Sequence, residues 1–441
     1  MRRTNPLFSN LTALYICLLL TVYLFYVGQQ GYLNITHAKF SAFCAISGGY
    51  ILITALLGGE CLLIGGIRPP SLGGLLKQSS WTQRLVLAYA ALTWLSALLS
   101  PHWPETFIGA SRYEGALTIT IYALCFLLVS RFAQTSAWML ALFGLSVSAF
   151  GGLCLLQLAG YNPLRLYPTG YGYADAYTAY PGAYLGTTGN VGLTAAALCA
   201  AIPILWVGLV RLKGRGRLLL LVPLSVLVFV LVKMSVLAGI VGVFGGGLLM
   251  APAVLPLPAR GRRILAGVLL AGGVLGVALV YMIDCSIGLL HELHGVLHGN
   301  LDATFGSGRI YIWQNVLQRV PSQLWLGSGP DTMLYADIPP FTRYDPELGR
   351  TIVSHIDMAH NEYLNILFHQ GILALAAYLA ALACAAWRWI KKSPSDPVCA
   401  MLGGAALCYC VQAFFGFSMC ITAPFFWLAL GLLENRLSNN K

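Results

Sequence analysis

About twelve stretches of this chain are apolar for long enough to cross a bilayer, and no other sequence feature constrains the fold as strongly. A hydrocarbon core about 30 Å thick takes roughly 20 residues of helix. Runs near that length lie at 11–27, 41–64, 85–100, 116–130, 137–158, 190–210, 218–232, 234–252, 264–283, 362–387, 398–417 and 421–435. The two runs flanking Lys233 are separated by so tight a turn that they also read as one broken helix. Only 9% of the 441 residues are charged and 58% are apolar, against about 25% charged in a soluble domain. That balance excludes a string of soluble domains, a disordered chain, a collagen-like repeat and a nucleic-acid-binding module. The apolar runs are continuous and lack the in–out alternation of barrel strands. The expected fold is all-α: a polytopic transmembrane helical bundle of about 12 spans with one large folded extracytoplasmic loop.

The net charge of +11 follows from sidedness. With the N-terminus placed in the cytoplasm, the inner segments collect Arg2, Arg3, Arg68, Lys77, Arg84, Arg131, the Arg211–Arg217 cluster, Arg260, Arg262, Arg263, Arg388, Lys391, Lys392, Arg436 and Lys441. The outer segments keep Lys39, Arg112, Arg165, Arg309, Arg319, Arg343 and Arg350, while the loop acids show the opposite bias. Cytoplasmic loops are enriched in Lys and Arg. An even number of spans with both termini in the cytoplasm therefore fits, and shifting the register by one span destroys the asymmetry. Met1-Arg2-Arg3 precedes an apolar run without a small-residue cleavage site, so it reads as a retained first span. Most of the 12 Cys lie within apolar runs, where Cys behaves as a small hydrophobe. No disulfide framework is expected.

Most loops are short. The exceptions are a Tyr- and Gly-rich outer loop near 160–189 and the long outer segment 284–361, which holds most of the eight His. Long loops with helical pattern and Gly punctuation are usually functional. The chain thus divides into an N-terminal bundle (1–283), an extracytoplasmic loop carrying the candidate site (284–361) and C-terminal helices (362–441).

Two stretches tied to that long segment carry chemistry. In Gly306-Ser307-Gly308-Arg309, the Gly residues permit a tight turn, and Ile310, Trp313, Val316, Leu317 and Val320 continue at helical spacing. Arg309 then sits in a first helical turn, where free N–H groups and a guanidinium together favour an anion such as phosphate. A lone Arg facing lipid headgroups explains the same residue more blandly. In Ala359-His360-Asn361-Glu362-Tyr363, Asn361 is a plausible N-cap. A helix N-terminus disfavours imidazolium, so His360 is expected to be neutral, as a general base must be. An interfacial or capping His is the plainer alternative.

Taken in order, these stretches resemble the O-antigen ligase/polymerase family of polytopic membrane glycosyltransferases. The resemblance rests on Gly306, Gly308, Arg309 and Trp313, on Leu326-Gly327-x-Gly329, and on Ala359-His360-Asn361-Glu362-Tyr363. Ser111-Arg112-Tyr113-Glu114-Gly115, Gly186-Thr187-Thr188-Gly189-Asn190 and Ala423-Pro424-Phe425-Phe426-Trp427 look like members of the family from Gram-positive bacteria. The resemblance implies a glycan donor linked through pyrophosphate to a polyprenyl lipid such as undecaprenyl. It implies transfer to a hydroxyl of a glycan or lipid acceptor at the outer face of the cytoplasmic membrane, in cell-surface polysaccharide assembly. It implies catalytic roles for Arg309, on the leaving pyrophosphate, and His360, on the acceptor hydroxyl. Neither cofactor nor metal is implied, and no nucleic acid.

One departure stands out. Where many members carry a Ser-Arg pair at the outer start of a middle span, this chain has Ser235-Val236. Lys233 or Arg112 is a candidate for the missing cation; snorkelling to headgroups is the plain reading of Lys233. Arg343 and Arg350, further cations of the long loop, join Arg112, Lys233, Asn361 and Glu362 as candidate substrate contacts.

Several signals point elsewhere. His291, His294 and His298 share a helix face in a zinc-like pattern, but an interfacial amphipathic helix accounts for them. Asp345-Pro346-Glu347 resembles a paired-acid cation motif but lacks partners nearby in sequence. Glu60, inside a span, is a functional hint by default or a protonated acid bonded to a neighbouring helix. A transporter or flippase of lipid-linked glycans is the main alternative function. It predicts ionisable groups lining a mid-membrane path, whereas almost all charges here sit at span edges.

Overall fold

The computed structural model describes residues 6–63, 74, 77–161, 163–166, 186–283, 288–345 and 350–438. Nine helices among them are long and apolar enough to span a membrane: α1 (Pro6–Tyr23), α2 (Gly31–Cys61), α3 (Trp81–Leu99), α5 (Ala137–Leu158), α6 (Val191–Arg211), α7 (Arg215–Met234), α8 (Leu237–Val254), α9 (Ala259–Met282) and α12 (Glu362–Lys392). Shorter apolar helices are α4 (Ala116–Phe132) and α13 (Pro397–Ala413), with α14 (Ala423–Ser438) closing the chain. Each apolar run coincides with one of these helices, so the protein is an all-α polytopic bundle. The turn after Lys233 separates two helices, because Ser235 takes a left-handed conformation (φ 55°) and ends α7.

The bundle is built on close helix pairs. α6 lies along α13, α12 along α3, and α14 along α4. Small side chains allow the approach: Ala195, Ala196, Ala200 and Ala201 on α6, and Ala400 and Ala405 on α13, are buried. In a membrane such small-residue faces replace hydrophobic collapse as the means of association, since lipid is as apolar as Leu. α9 is the opposite case. None of its residues is buried, as expected for a helix that is apolar all round and faces lipid.

Two polar residues depart from expectation. Lys39, expected in an outer segment, is 1% exposed inside α2. Its ammonium donates to two carbonyls at the end of α1, those of Tyr23 (2.6 Å) and Leu24 (3.0 Å), where the helical ladder runs out. Glu60 is exposed near the end of α2, and among the described residues it makes no bond to a neighbouring helix. The cysteines among the described residues are free thiols. Cys285, Pro346, Glu347 and most of the Tyr-rich loop lie outside the described residues.

The long segment folds onto the N-terminal end of α12. It holds α10 (Gly288–Leu297) and α11 (Phe305–Arg319). It also holds an antiparallel pair not expected from its helical pattern, β1 (Phe341–Asp345) and β2 (Arg350–Ser354), in the register Phe341 to Ser354. Thr342, Tyr344, Thr351, Ile352 and Val353 supply the β-branched and aromatic content that suits strands. Ile312, Val316, Met333, Ile356 and Ala359 form a small core, closed by Phe368 of α12.

That last contact depends on a break in α12. Gly371 has φ 79° and ψ 177°, and a side chain there would meet the Trp325 carbonyl. The break strands carbonyls of the preceding turn. The Leu326–Gly329 motif supplies donors for them: Ser328 N to Phe368 O (3.0 Å) and Gly329 N to His369 O (2.8 Å). Buried backbone groups need such partners, so the glycine motif is the complement of the broken helix.

Candidate functional site

Three consecutive left-handed residues, Gly306 (φ 63°), Ser307 (φ 60°) and Gly308 (φ 84°), turn the chain into the regular part of α11. The first and third positions are Gly because an L side chain resists this region by about 1–2 kcal/mol. The Glu292 carboxylate accepts from Gly306 N at 2.9 Å and steadies the turn. Arg309 follows as the first residue with helical backbone. Its Nη1 donates to Gly306 O (2.7 Å) and its Nε to Phe415 O (3.2 Å). Among the described residues it has no carboxylate partner, so a half-buried cation is held by carbonyl dipoles alone.

Trp313, one helical turn on, ties the first motif to the second. Its indole Nε1 donates to Ala359 O at 2.9 Å, and the Asn365 side chain accepts from Ala359 N at 2.8 Å. Ala359 is thus held from both sides. Asn361 caps α12, its side-chain oxygen accepting from Tyr363 N (3.0 Å) and Leu364 N (3.1 Å). His360 stands between these two anchors in a left-handed conformation (φ 48°), an uncommon state for a non-Gly residue. Its ring lies edge-on to Phe417, centroids 5.2 Å apart.

The imidazole pKa is lowered to about 4. Burial is the main cause and the Arg309 charge the second; Asp357 opposes them and Arg112 adds to them. The sequence predicts a neutral His360 from its place at a helix N-terminus. Burial and two guanidinium groups give the same protonation state for a different reason. Phe417 touches both His360 and Arg112, and Arg309 bonds Phe415 two residues earlier, so the three side chains share one neighbourhood.

Arg112 reaches the cluster through a bonded chain. Its Nε pairs with Asp357 Oδ2 at 2.7 Å, and its guanidinium lies 5.9 Å from the Phe417 ring centroid. Its backbone is set by Asp331, whose carboxylate accepts from Arg112 N (2.7 Å), Ser111 N (3.1 Å) and Ser111 Oγ (2.7 Å). The link between α13 and α14 completes the wall. Phe415 meets Arg309, Phe417 meets both His360 and Arg112, and Ser418 N donates to Glu362 Oε2 at 2.9 Å.

The structure therefore brings together Arg309, His360, Arg112 and Glu362, with Asn361 holding the backbone beside them. Lys233 is exposed at the end of α7, 5.9 Å from the Phe229 ring of its own helix, and makes no contact with the cluster among the described residues. Arg343 and Arg350 lie on the hairpin strands, and their side chains fall outside the described ones. His294 and His298 lie with ring centroids 4.2 Å apart, tilted by 36°, and direct ring nitrogens to the carbonyls of Val280 and His294. Sequence reasoning missed Asp331, Asp357 and the Phe415–Ser418 link. The Gly416 and Ser418 interruption between two spans was a usable signal for the link. Asp331 and Asp357 act through distant partners and left no local pattern.

Replacing Trp313 with Phe removes one hydrogen bond and keeps the ring against Phe414. A buried bond of this kind is worth about 1 kcal/mol. The hold on the His360 backbone should weaken, and kcat for the chain's reaction should fall several-fold to about tenfold with KM little changed. Steady-state rates of the purified variant check this.

Residues 235–379 match the family model described as O-antigen ligase. The match begins at the turn before α8 and runs into α12, so it contains Arg309, Trp313, His360, Asn361 and Glu362. It supports the O-antigen ligase/polymerase family, a class of membrane glycan ligases with glycosyltransferase-like activity. The Arg112 stretch, the Gly186–Asn190 stretch and the closing Ala423–Trp427 stretch lie outside the matched residues. No curated protein matches the chain.

Proposed function

We propose that this protein transfers or polymerises a glycan from a polyprenyl-pyrophosphate donor onto an acceptor hydroxyl at the outer face of the cytoplasmic membrane. The observation that carries the reading is a guanidinium, Arg309, that has no carboxylate partner among the described residues and stands near an imidazole kept neutral, His360. Such a cation is a ready counter-charge for diphosphate. A neutral imidazole beside it can accept a proton.

In this reaction the bond between the sugar anomeric carbon and the pyrophosphate oxygen breaks, and its electron pair leaves with the polyprenyl pyrophosphate. The acceptor oxygen forms the new bond to that carbon and gives its proton to His360. Arg309 offsets the charge that grows on the leaving oxygen, the kind of preorganised stabilisation that contributes most in a site shielded from water. Arg112, fixed by Asp331 and Asp357, supplies a second cation and fills the role left open by Val236. Residues 284–361 form the substrate-facing unit, and both termini lie in the cytoplasm, as the cation asymmetry supports. The chemistry needs no metal, since two guanidinium groups carry the counter-charge.

The test is reconstitution of the full chain in proteoliposomes with a polyprenyl-pyrophosphate glycan and candidate acceptors. The expected result is one polyprenyl pyrophosphate released for each new glycosidic bond, with or without chelator. Movement of intact donor across the bilayer without bond formation would instead establish the flippase alternative.

A further inference from the structure

Behind the cluster, on the bundle side, lies a small cavity of about 40 Å³ lined by two carboxylates, Glu114 and Glu362. His369, Asn365 and Gln370 of α12 border it, as do tyrosines from three helices, Tyr89, Tyr122 and Tyr378. No Lys or Arg is among the lining residues. Two ionised carboxylates facing one small cavity without a cation are strongly disfavoured, because each raises the cost of charging the other in a medium of low polarity. One of the two negative charges has to be neutralised.

The donors around the cavity show by what. Tyr122 OH donates to Glu114 Oε1 at 2.9 Å, and Ser418 N donates to Glu362 Oε2 at 2.9 Å. His369 is 4% exposed. Its Nδ1 accepts from Asp331 N at 2.6 Å, so in the neutral ring the proton is on Nε2. That Nε2 has no hydrogen-bond partner among the described residues. A buried N–H left in this way costs about 1–3 kcal/mol unless it finds an acceptor. An N–H directed into the space also opposes a metal cation, and no group of three or more potential metal ligands occurs among the described residues. Water fits: a cavity of more than about 10–15 Å³ on this measure holds a molecule when polar partners surround it.

We propose that this chamber is a buried proton-and-water site, in which Glu114 and Glu362 share one proton at neutral pH and a bound water accepts from His369 Nε2. Burial and the nearness of Glu362 hold the Glu114 carboxyl well above the usual carboxylate range, with Asp331 adding to the effect. The same contacts link the chamber to the site: Asp331 bonds both His369 and the Arg112 backbone, and Glu362 lies two residues from His360. The chamber is thus a proton acceptor placed beside the imidazole. Its use in turnover rests on the acid–base role given to His360 above; the shared proton does not.

Infrared spectroscopy of the full-length protein in lipid nanodiscs at neutral pH tests the proposal without substrate. The expected spectrum contains the carbonyl stretch of a protonated carboxylic acid, shifted in D2O and either lost or moved in both Glu114→Gln and Glu362→Gln. Either substitution removes one end of the shared bond and the charge that opposes the other carboxylate. Absence of the band in the native protein, or its survival unmoved in both variants, would overturn the proposal. Loss in one variant with an unmoved band in the other would place the proton on the residue whose substitution removes it and overturn sharing. Should the Gln variants fail to fold, Glu114→Asp and Glu362→Asp should each shift the band, and an unshifted band in both would count against it. Failed glycan transfer with the band present would weigh against the enzymatic reading and leave the proton site standing.

Discussion

Arg309→Ala is expected to lower glycan transfer by about 10²–10³-fold, the usual cost of removing one preorganised charge-stabilising donor. The fold should survive, because the guanidinium bonds two carbonyls, Gly306 O and Phe415 O, and spans no buried ion pair. Arg309→Lys should recover only part of the rate. A lysine keeps the charge but loses the planar fork that grips diphosphate in two places. A second effect accompanies the first. Arg309 helps keep the His360 imidazole neutral, so its removal favours imidazolium. The acid limb of the residual activity should move upward from about 4 towards the ordinary histidine range. A charge located elsewhere would lower the rate without moving that limb.

His360→Ala is expected to cost about 10²–10⁴-fold in kcat, the span typical of general acid–base catalysis, with donor affinity nearly unchanged. The sign of the pH dependence follows from the environment. The base works in its neutral form, and burial plus two guanidinium groups lower its pKa to about 4. Activity in the native protein should therefore stay flat from neutral pH downward and fall only as pH nears that value. An imidazole with its ordinary pKa would lose activity near pH 6.5. Rates of the native protein and of His360→Ala across that range, in lipid, distinguish the two.

Much of the membrane architecture was legible because the bilayer imposes a length and a composition on every span. The apolar runs needed no tertiary information, and even the turn after Lys233 resolved into the residue Ser235. The motif pairs were legible in kind: Gly306 and Gly308 permit the left-handed turn before Arg309, and Asn361 caps α12. Their coupling was not. Trp313 holding the Ala359 carbonyl, and Leu326–Gly329 filling the break at Gly371, are contacts between segments tens of residues apart, and single-sequence patterns carry no distances. The hairpin Phe341–Ser354 was hidden inside a segment whose His and Leu spacing looked helical. The burial of Lys39 was not legible because a cation near a span edge is usually solvated, whereas here two carbonyls at the end of α1 receive it. Asp331 and Asp357 were invisible for a related reason. Each is a lone acid in sequence, and its importance comes from aiming Arg112, more than 200 residues away, at the same pocket as His360.

The most direct test of a shared pocket is equilibrium binding of polyprenyl pyrophosphate, without glycan, to the native protein, Arg309→Ala and His360→Ala in nanodiscs. Binding should weaken about tenfold or more in Arg309→Ala, as expected for the loss of a charge-assisted contact worth about 1.5–3 kcal/mol, and stay within about twofold in His360→Ala. Equal affinity in the native protein and Arg309→Ala would contradict the placement of the diphosphate at Arg309.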